Sequence, residues 1–506
     1  MANANSPLGT VISTMESPNT LEFAFVIQSS DVHKSQFVQV PSSPHGPVLG
    51  TISEIYRANR YFERPESVAE YSRLGMINSH FPTSEWEYMV AKVKVHGVLK
   101  ENFLSRSSIP VKCGADVLPA EEGQLKSFLA LDENGLELGK LRYHKLSITL
   151  SLSKLLQKHL AILAMSGSGK SYLAGVLIEE LLDRDAEKGR IAIIAIDNHG
   201  EYIGFKDSAY RGQVNVIDGK KIKIGLRHLT AWHLAEWSKM SAVAMRALDT
   251  HFAELKTKIK STGEPLGLKE LIDTVQEDPS LNKKENVRGP LLSSLYELAR
   301  LRLIGKADTI KSDSIKPGTL TVIDLSPIDD LRKKQMIVAH YGRKFFKQRK
   351  KEAIPPFLML VEEAHNFCPE KMEKSSALSR GIINTIAREG RKFGASLCLI
   401  SQRPVQLSTT ALSQCNSNII LRVTNPYDLD HIKESCEGID RTTADAITTL
   451  RVGEALIIGE AVGAPVFVNI RKRKSKTKTK GEPLEKLAKE FEEKNKIKEE
   501  EIEAFL

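Results

Sequence analysis

The hydrophobic positions change their period once along the chain. Up to about residue 145 they come in short β-prone runs: LEFAFVIQ (21–28), QFVQVP (36–41), GPVLGTISEIY (46–56) and EYMVAKVKVHGVL (87–99). Gly, Pro, Ser and Asn punctuate these runs, so residues 1–145 are expected to form a small β-barrel. No catalytic constellation is visible there, and assembly is its expected role. From about 146 strands and helices alternate. Apolar strands are expected at RIAIIAID (190–197), TLTVIDLS (319–326), PFLMLVEE (356–363), ASLCLISQ (395–402), SNIILRV (417–423) and EALIIGE (454–460). Near-continuous Ile, Leu and Val runs suit a sheet covered on both faces. Their alternation with helices implies parallel strands and right-handed crossovers. The fold class is therefore α/β, with a parallel-rich core over 146–463 that contains a mostly helical subdomain at 226–317.

The last segment, 464–506, differs again. RKRKSKTKTK (471–480) holds seven basic residues in ten, so it is expected to be solvated and disordered unless it meets a polyanion. A mixed-charge helix follows, with Leu484, Leu487 and Phe491 at helical spacing. It reads either as a segment that docks on a neighbour or as a loosely attached surface helix.

Composition narrows the class. The 506 residues are 41% hydrophobic and 27% charged, an ordinary globular balance. The formal net charge of +9 favours a polyanionic partner, the plain alternative being a Lys-rich solvated surface. The five cysteines are scattered, with no metal spacing, which points to a reducing cytoplasm. The first residues show no signal pattern, and no apolar run approaches a membrane span. No membrane is expected.

The chemistry begins at LAILAMSGSGKSYLAGVL (160–177): an apolar strand, a loop of small residues, then a helix. This is the sequence form of a phosphate-binding loop. Gly167 and Gly169 let the backbone curl and point N–H groups inward, and the helix adds its positive end. Lys170 can reach the β- and γ-phosphates, and the Ser171 hydroxyl can ligate Mg²⁺. Ala164 stands where the pattern has Gly. The expected nucleotide contacts are Ser166, Gly167, Ser168, Gly169, Lys170, Ser171 and Tyr172, with ATP and Mg²⁺ as cofactors.

PFLMLVEEAHNF carries the second part. Glu362 and Glu363 follow a buried strand, at the end where ligands of open α/β sheets gather. Two buried carboxylates there call for a cation. Glu362 is expected to hold Mg²⁺, and Glu363 to polarise the water that attacks the γ-phosphate. The next strand, ASLCLISQRP, ends in Ser401 and Gln402, and Gln402 reads as a γ-phosphate sensor. The preceding helix, SRGIINTIAREGRKFG, presents Arg388 and Arg391 on one face. Such arginines are ordinarily solvated; the other reading is an arginine finger, and nothing local decides between them.

Together AMSGSGKS, IAIDNHGEY, TVIDLS, LVEEAHNF, IAREGRKFG and ISQRP, in this order behind a β-barrel, resemble the archaeal HerA DNA translocases, which belong with the FtsK-type motors. The resemblance covers nearly the whole chain. It implies a RecA-like core with an extra strand between the phosphate-loop and acidic strands. It also implies a homohexameric ring threaded by double-stranded DNA, with a NurA nuclease docked on the ring for DNA-end resection. By the same resemblance Glu363 is the catalytic carboxylate and Arg388 a finger acting in trans. Lys158 falls where the family can carry a second trans-acting basic residue, here Lys rather than Arg. Residues 197–202 are implied to lie near the nucleotide or pore, and the tail to brace neighbouring subunits. Two other classes share such a core: a secretion or conjugation ATPase that moves protein or nucleoprotein, and a nucleotide-gated DNA clamp. The first usually needs a membrane anchor, and the second has little use for a hydrolytic acid.

Overall fold

The structure is a computed structural model. It describes residues 6–476 and 484–493, apart from 15–16, 42–45, 60–67, 70–72, 74–86, 101–102, 283–284 and 372–376.

The first unit is built from β1 (Gly9–Ile12), β2 (Glu22–Ile27), β3 (Phe37–Val40), β4 (Val48–Asn59), β5 (Glu87–Lys100), β6 (Phe103–Ser105) and β7 (Asp116–Pro119). Their order is β2-β1-β7-β3-β4-β5-β6, and a further β2–β5 pairing closes six of them into a barrel. Closure removes exposed strand edges. Residues of the short runs, Phe23, Phe25, Val38, Val40, Ile52 and Val93, fill its interior together with Val117 of β7.

The second unit holds one large sheet. Its strands are β8 (Leu136–Leu141), β9 (Ser147–Leu150), β10 (Leu160–Leu163), β11 (Ala192–Asp197), β12 (Val214–Asp218), β15 (Leu320–Asp324), β16 (Phe357–Val361), β17 (Ala395–Ser401), β18 (Ser417–Ile420), β19 (Glu454–Gly459) and β20 (Val466–Ile470). The intervening β13 (Ile224–Gly225) and β14 (Ile304–Gly305) form a separate two-stranded pair. The sheet order is β12-β15-β11-β16-β17-β10-β18-β19-β20-β8-β9. From β12 to β18 neighbours run parallel; from β18 to β9 they run antiparallel. β17 lies between the phosphate-loop strand β10 and the acidic strand β16, the extra strand that the resemblance implied. The central strands are buried at every position.

Two boundaries differ from the expected ones. The hairpin β8–β9 joins the large sheet through β20, so the line expected at 145 cuts a hairpin of this sheet. At the other end, β20 lies beyond 463 and is a full sheet member. These strands are short and β8 and β20 meet across more than 300 residues, so their pairing could not be read from local pattern. Within 226–317 the chain forms helices at Ala231–Ser238, Ala242–Thr262, Leu268–Glu277, Pro279–Asn282 and Glu285–Arg300. Their apolar faces, including Leu248, Phe252, Leu271 and Leu295, merge with the core on one face of the sheet.

The start of the basic run is ordered. Arg471 bonds both Glu179 (2.8 Å) and Glu180 (2.7 Å) on the helix Lys170–Leu182. The backbone N–H groups of Lys474 and Ser475 and the Ser475 hydroxyl also donate to Glu179, which is fully buried. Burial alone would raise the Glu179 carboxyl pKa. The bonds from Ser475, Lys474 and Arg471 outweigh it and hold the pKa below the ordinary value. The expected polyanion is thus, for these residues, an acidic helix of the same chain. Residues 477–480 of the run lie outside the described residues. Truncation after Ile470 removes the bonds of Arg471, Lys474 and Ser475 to Glu179 and should lower stability by about 1.5–3 kcal/mol, the scale of hydrogen bonds to a charged group. Truncation after Lys476 should leave stability near wild type. Denaturant midpoints compare the two, and equal midpoints would show that the contact adds nothing.

Candidate functional site

The phosphate loop hangs from the ends of two neighbouring strands. The Ala164 N–H donates to the Ser401 carbonyl at 3.1 Å, and that of Met165 to Arg422 at 3.0 Å. Ala164 is fully buried within the core, so a methyl is accommodated where the pattern has Gly. Gly167 (φ 76°) and Gly169 (φ 100°) take left-handed conformations that disfavour a side chain. The Ser168 hydroxyl closes the loop on the Met165 carbonyl at 2.7 Å. The helix then starts at Lys170, and its first N–H groups lack intrahelical acceptors. Ser166 is exposed in the loop, and Tyr172, in the first turn, accepts a bond from the Arg473 N–H at 2.6 Å.

Opposite the loop stand the two acids at the end of β16. Lys170 Nζ lies 2.5 Å from Glu363 Oε1, and Ser171 Oγ 3.3 Å from Glu362 Oε1. Both carboxylates are buried, and among the described residues the Oε2 atom of each accepts no hydrogen bond. Glu363 itself has a left-handed backbone, φ 48° and ψ 50°, uncommon for a residue with a Cβ and a form of strain found at functional sites. Burial, then the charges of Asp197 and Glu201, drive the Glu362 carboxyl well above its ordinary value against the pull of Lys170. Two buried carboxylate oxygens that accept no hydrogen bond, beside a serine hydroxyl, are a set of hard oxygen donors, which fits a Mg²⁺ ion.

Three further residues complete the floor. His365 Nδ1 is 3.1 Å from Ser401 Oγ and 3.5 Å from Glu363 Oε2, joining the acid to the tip of β17. Burial lowers the His365 pKa, although Glu363 opposes this. Asp197, fully buried at the end of β11, caps the turn after it by accepting from the N–H groups of residues 199–202 at 2.7–3.2 Å. Burial raises its pKa more than those bonds lower it. Gln402 follows Ser401 beside the loop root and is half-buried. His365 had no assigned role in the sequence reading; its one signal was its place two residues after Glu363.

Lys158 and Arg388 are not brought to this site. Both precede the strands whose far ends carry it: Lys158 lies before β10, and Arg388 lies before β17 on the helix Arg380–Glu389. Lys158 pairs with Glu460 at 2.6 Å. Arg388 is exposed, as is Arg391, and among the described residues no ion pair engages Arg388. These cations therefore line the edge opposite their own phosphate loop.

A carboxyl whose folded pKa exceeds its unfolded value holds its proton more tightly in the folded state. Glu362 therefore costs no stability below about 4.5, and progressively more as the pH rises towards its folded value. Glu362→Gln should raise the melting temperature of the nucleotide-free protein, more at pH 8 than at pH 5, while weakening Mg²⁺-dependent nucleotide binding. Melting curves at the two pH values check this; an unchanged difference between them would contradict it.

A parallel sheet with a phosphate loop on one strand and paired acids on another, separated by a third strand, defines an ATPase fold of the RecA-like type. The structure of VirB4 from Thermoanaerobacter pseudethanolicus has the same fold, with a TM-score of 0.54 at 15% identity over 67% of this chain and 97% of that one. Residues 136–345 match the family described as helicase HerA, central domain (DUF87). The DNA double-strand break repair helicase HerA of Pyrococcus furiosus is 29% identical over 500 residues, covering 87% of this chain and 88% of that protein. The protein of the same name from Saccharolobus solfataricus is 29% identical over 443 residues, covering 83% and 84%. Over most of its length the chain is similar to these HerA helicases, and its central segment matches their family model. The matched segment begins at Leu136, the first residue of β8, where the large sheet also begins.

Proposed function

We propose that this protein is an ATP-hydrolysing translocase of double-stranded DNA that works as a homohexameric ring. The observation that carries the reading is the division of one reaction between two edges of the subunit. Lys170, Ser171, Glu362 and Glu363 converge on one edge, while Lys158 and Arg388 lie on the other, out of reach of their own loop. A second copy would supply the missing cations, and each subunit would complete its neighbour's site. The relatives' names add the polymer, DNA, and the net charge of +9 suits a phosphate backbone.

In this reading Lys170 leaves Glu363 for the β- and γ-phosphates, and Ser171 and Glu362 hold Mg²⁺. The ion, when bound, neutralises charge on the phosphate oxygens. Glu363, freed of Lys170, takes the proton of the attacking water, and His365 fixes it against Ser401. Gln402 senses the γ-phosphate at the same strand tip. Arg388 and Lys158 of the adjacent copy offset the charge that develops on the phosphoryl group. The barrel serves assembly. Leu484, Leu487 and Phe491 stay exposed on the single chain, as a brace for a neighbouring subunit would. A NurA-type nuclease is the partner that DNA-end resection would require. Among the described residues no helix is long and apolar enough to cross a membrane, and the cytoplasm is the proposed place of action.

The test is ATP turnover with and without duplex DNA, with particle mass measured on the same sample, and displacement of a protein roadblock along the duplex. Wild type with ATP should displace the block; a non-hydrolysable analogue should not. Displacement with either nucleotide would leave binding alone as the cause and remove the motor.

A further inference from the structure

His159 joins the two edges of the subunit. It sits between Lys158 and β10 with a left-handed backbone, φ 62°, and a side chain buried in the fold. Its Nδ1 accepts from the Leu397 N–H of β17 at 3.0 Å. Its Nε2 lies 2.9 Å from the carbonyl oxygen of Ala387, the residue before Arg388. An amide donor on one side and a carbonyl acceptor on the other fix a neutral ring with its proton on Nε2. Burial, which lowers the pKa to about 4, keeps it neutral at working pH. The Ala387 carbonyl belongs to the last turn of its helix, where oxygens lack intrahelical donors. His159 thus caps the end of the helix that presents Arg388. The same ring grips β17, and its backbone carries Lys158.

We propose that His159 is a positioning residue that holds Lys158 and Arg388 in register with β17, whose other end bears Ser401 and Gln402. This rests on the trans reading of those two cations. A shift of β17 at the subunit's own nucleotide would then move, through one imidazole, the cations presented to the next subunit's nucleotide. Nothing else described in the structure touches both the helix end and the strand through a single side chain adjoining Lys158. A plain structural staple would have the same bonds, so the test must separate misplaced cations from a damaged fold.

Two variants divide the bonds. In His159→Asn the amide oxygen can keep the Leu397 N–H, but the donor to Ala387 is lost. In His159→Gln the longer amide can keep the donor to Ala387 and lose the strand. His159→Asn should bind a non-hydrolysable ATP analogue like wild type yet turn over ATP on the order of 10²-fold more slowly, the scale of an ångström-sized misplacement. His159→Gln should retain more turnover than His159→Asn. Subunits of His159→Asn mixed with Glu363→Gln should regain turnover, because the second variant lends an intact edge to the first variant's intact acid. The Arg388→Ala and Glu363→Gln mixture is the control. Should His159→Asn fail to fold, the mixing is done with His159→Gln. Wild-type turnover in His159→Asn, or equal losses in both variants, would overturn the proposal. Absence of recovery with His159→Asn, where the Arg388→Ala mixture recovers, would place the defect in the subunit's own site and also overturn it. If neither mixture recovers in rings shown by mass to be mixed, the trans reading falls first and this inference falls with it.

Discussion

Glu363→Gln should reduce ATP turnover by about 10²–10⁴-fold, the usual contribution of a positioned general base, and leave nucleotide binding intact. Three features single out Glu363 as the proposed hydrolytic acid. It is buried, its Oε2 accepts no hydrogen bond from the described residues, and its backbone is held in a left-handed conformation that the surrounding residues must enforce. Gln has the same shape, but an amide takes no proton from water. With the carboxylate gone, Lys170 is no longer drawn to Oε1 at 2.5 Å and is freer to meet the phosphates. ATP affinity should therefore equal or exceed that of wild type. Turnover and analogue affinity measured side by side check both halves. Turnover within tenfold of wild type would mean that another group activates the water, and His365, 3.5 Å from Glu363, would be the next to examine.

Arg388→Ala should lose turnover by about 10³-fold or more, the range typical of an arginine finger. Its exposure, and the lack of an ion pair to it among the described residues, predict no loss of stability, which distinguishes it from truncation of the tail at Ile470. ATP binding should persist, because Arg388 cannot reach its own phosphate loop along the length of β17. Rings assembled from Arg388→Ala and Glu363→Gln subunits should recover part of the lost turnover at interfaces that pair an intact arginine with an intact acid. Arg391→Ala, one turn further along the same edge, provides the comparison. A greater loss there would move the finger to Arg391. No recovery in mixed rings verified by mass would mean that the arginine does not act between subunits.

Much of the ATPase core was legible because its signals are local. Phe357–Val361 and Ala395–Ser401 are apolar at every position, the pattern of strands covered on both faces, and the structure buries each of them. Gly167 and Gly169 announced a left-handed loop before a helix. Other features depended on partners far along the chain. The hairpin Leu136–Leu150 straddles the boundary expected at 145, and only pairing with Val466–Ile470 assigns it to the large sheet. RKRKSKTKTK reads as a solvated run because its acids, Glu179 and Glu180, stand nearly 300 residues earlier on a helix that gave no sign of needing them.

Local pattern specified the elements and the residue types they carry. Periodicity marked the strands, small residues the phosphate loop, and paired acids the end of a buried strand, since each depends on neighbours a few positions apart. Tertiary structure alone decided who meets whom. It set Lys170 against Glu363 across 193 positions, and His365 between that acid and Ser401. It put Lys158 and Arg388 at the opposite ends of the strands, joined through His159. Those placements follow from strand order and register in a parallel sheet. Hydrogen bonding between strands fixes them, and the local hydrophobic pattern is nearly the same for any order of equally apolar strands.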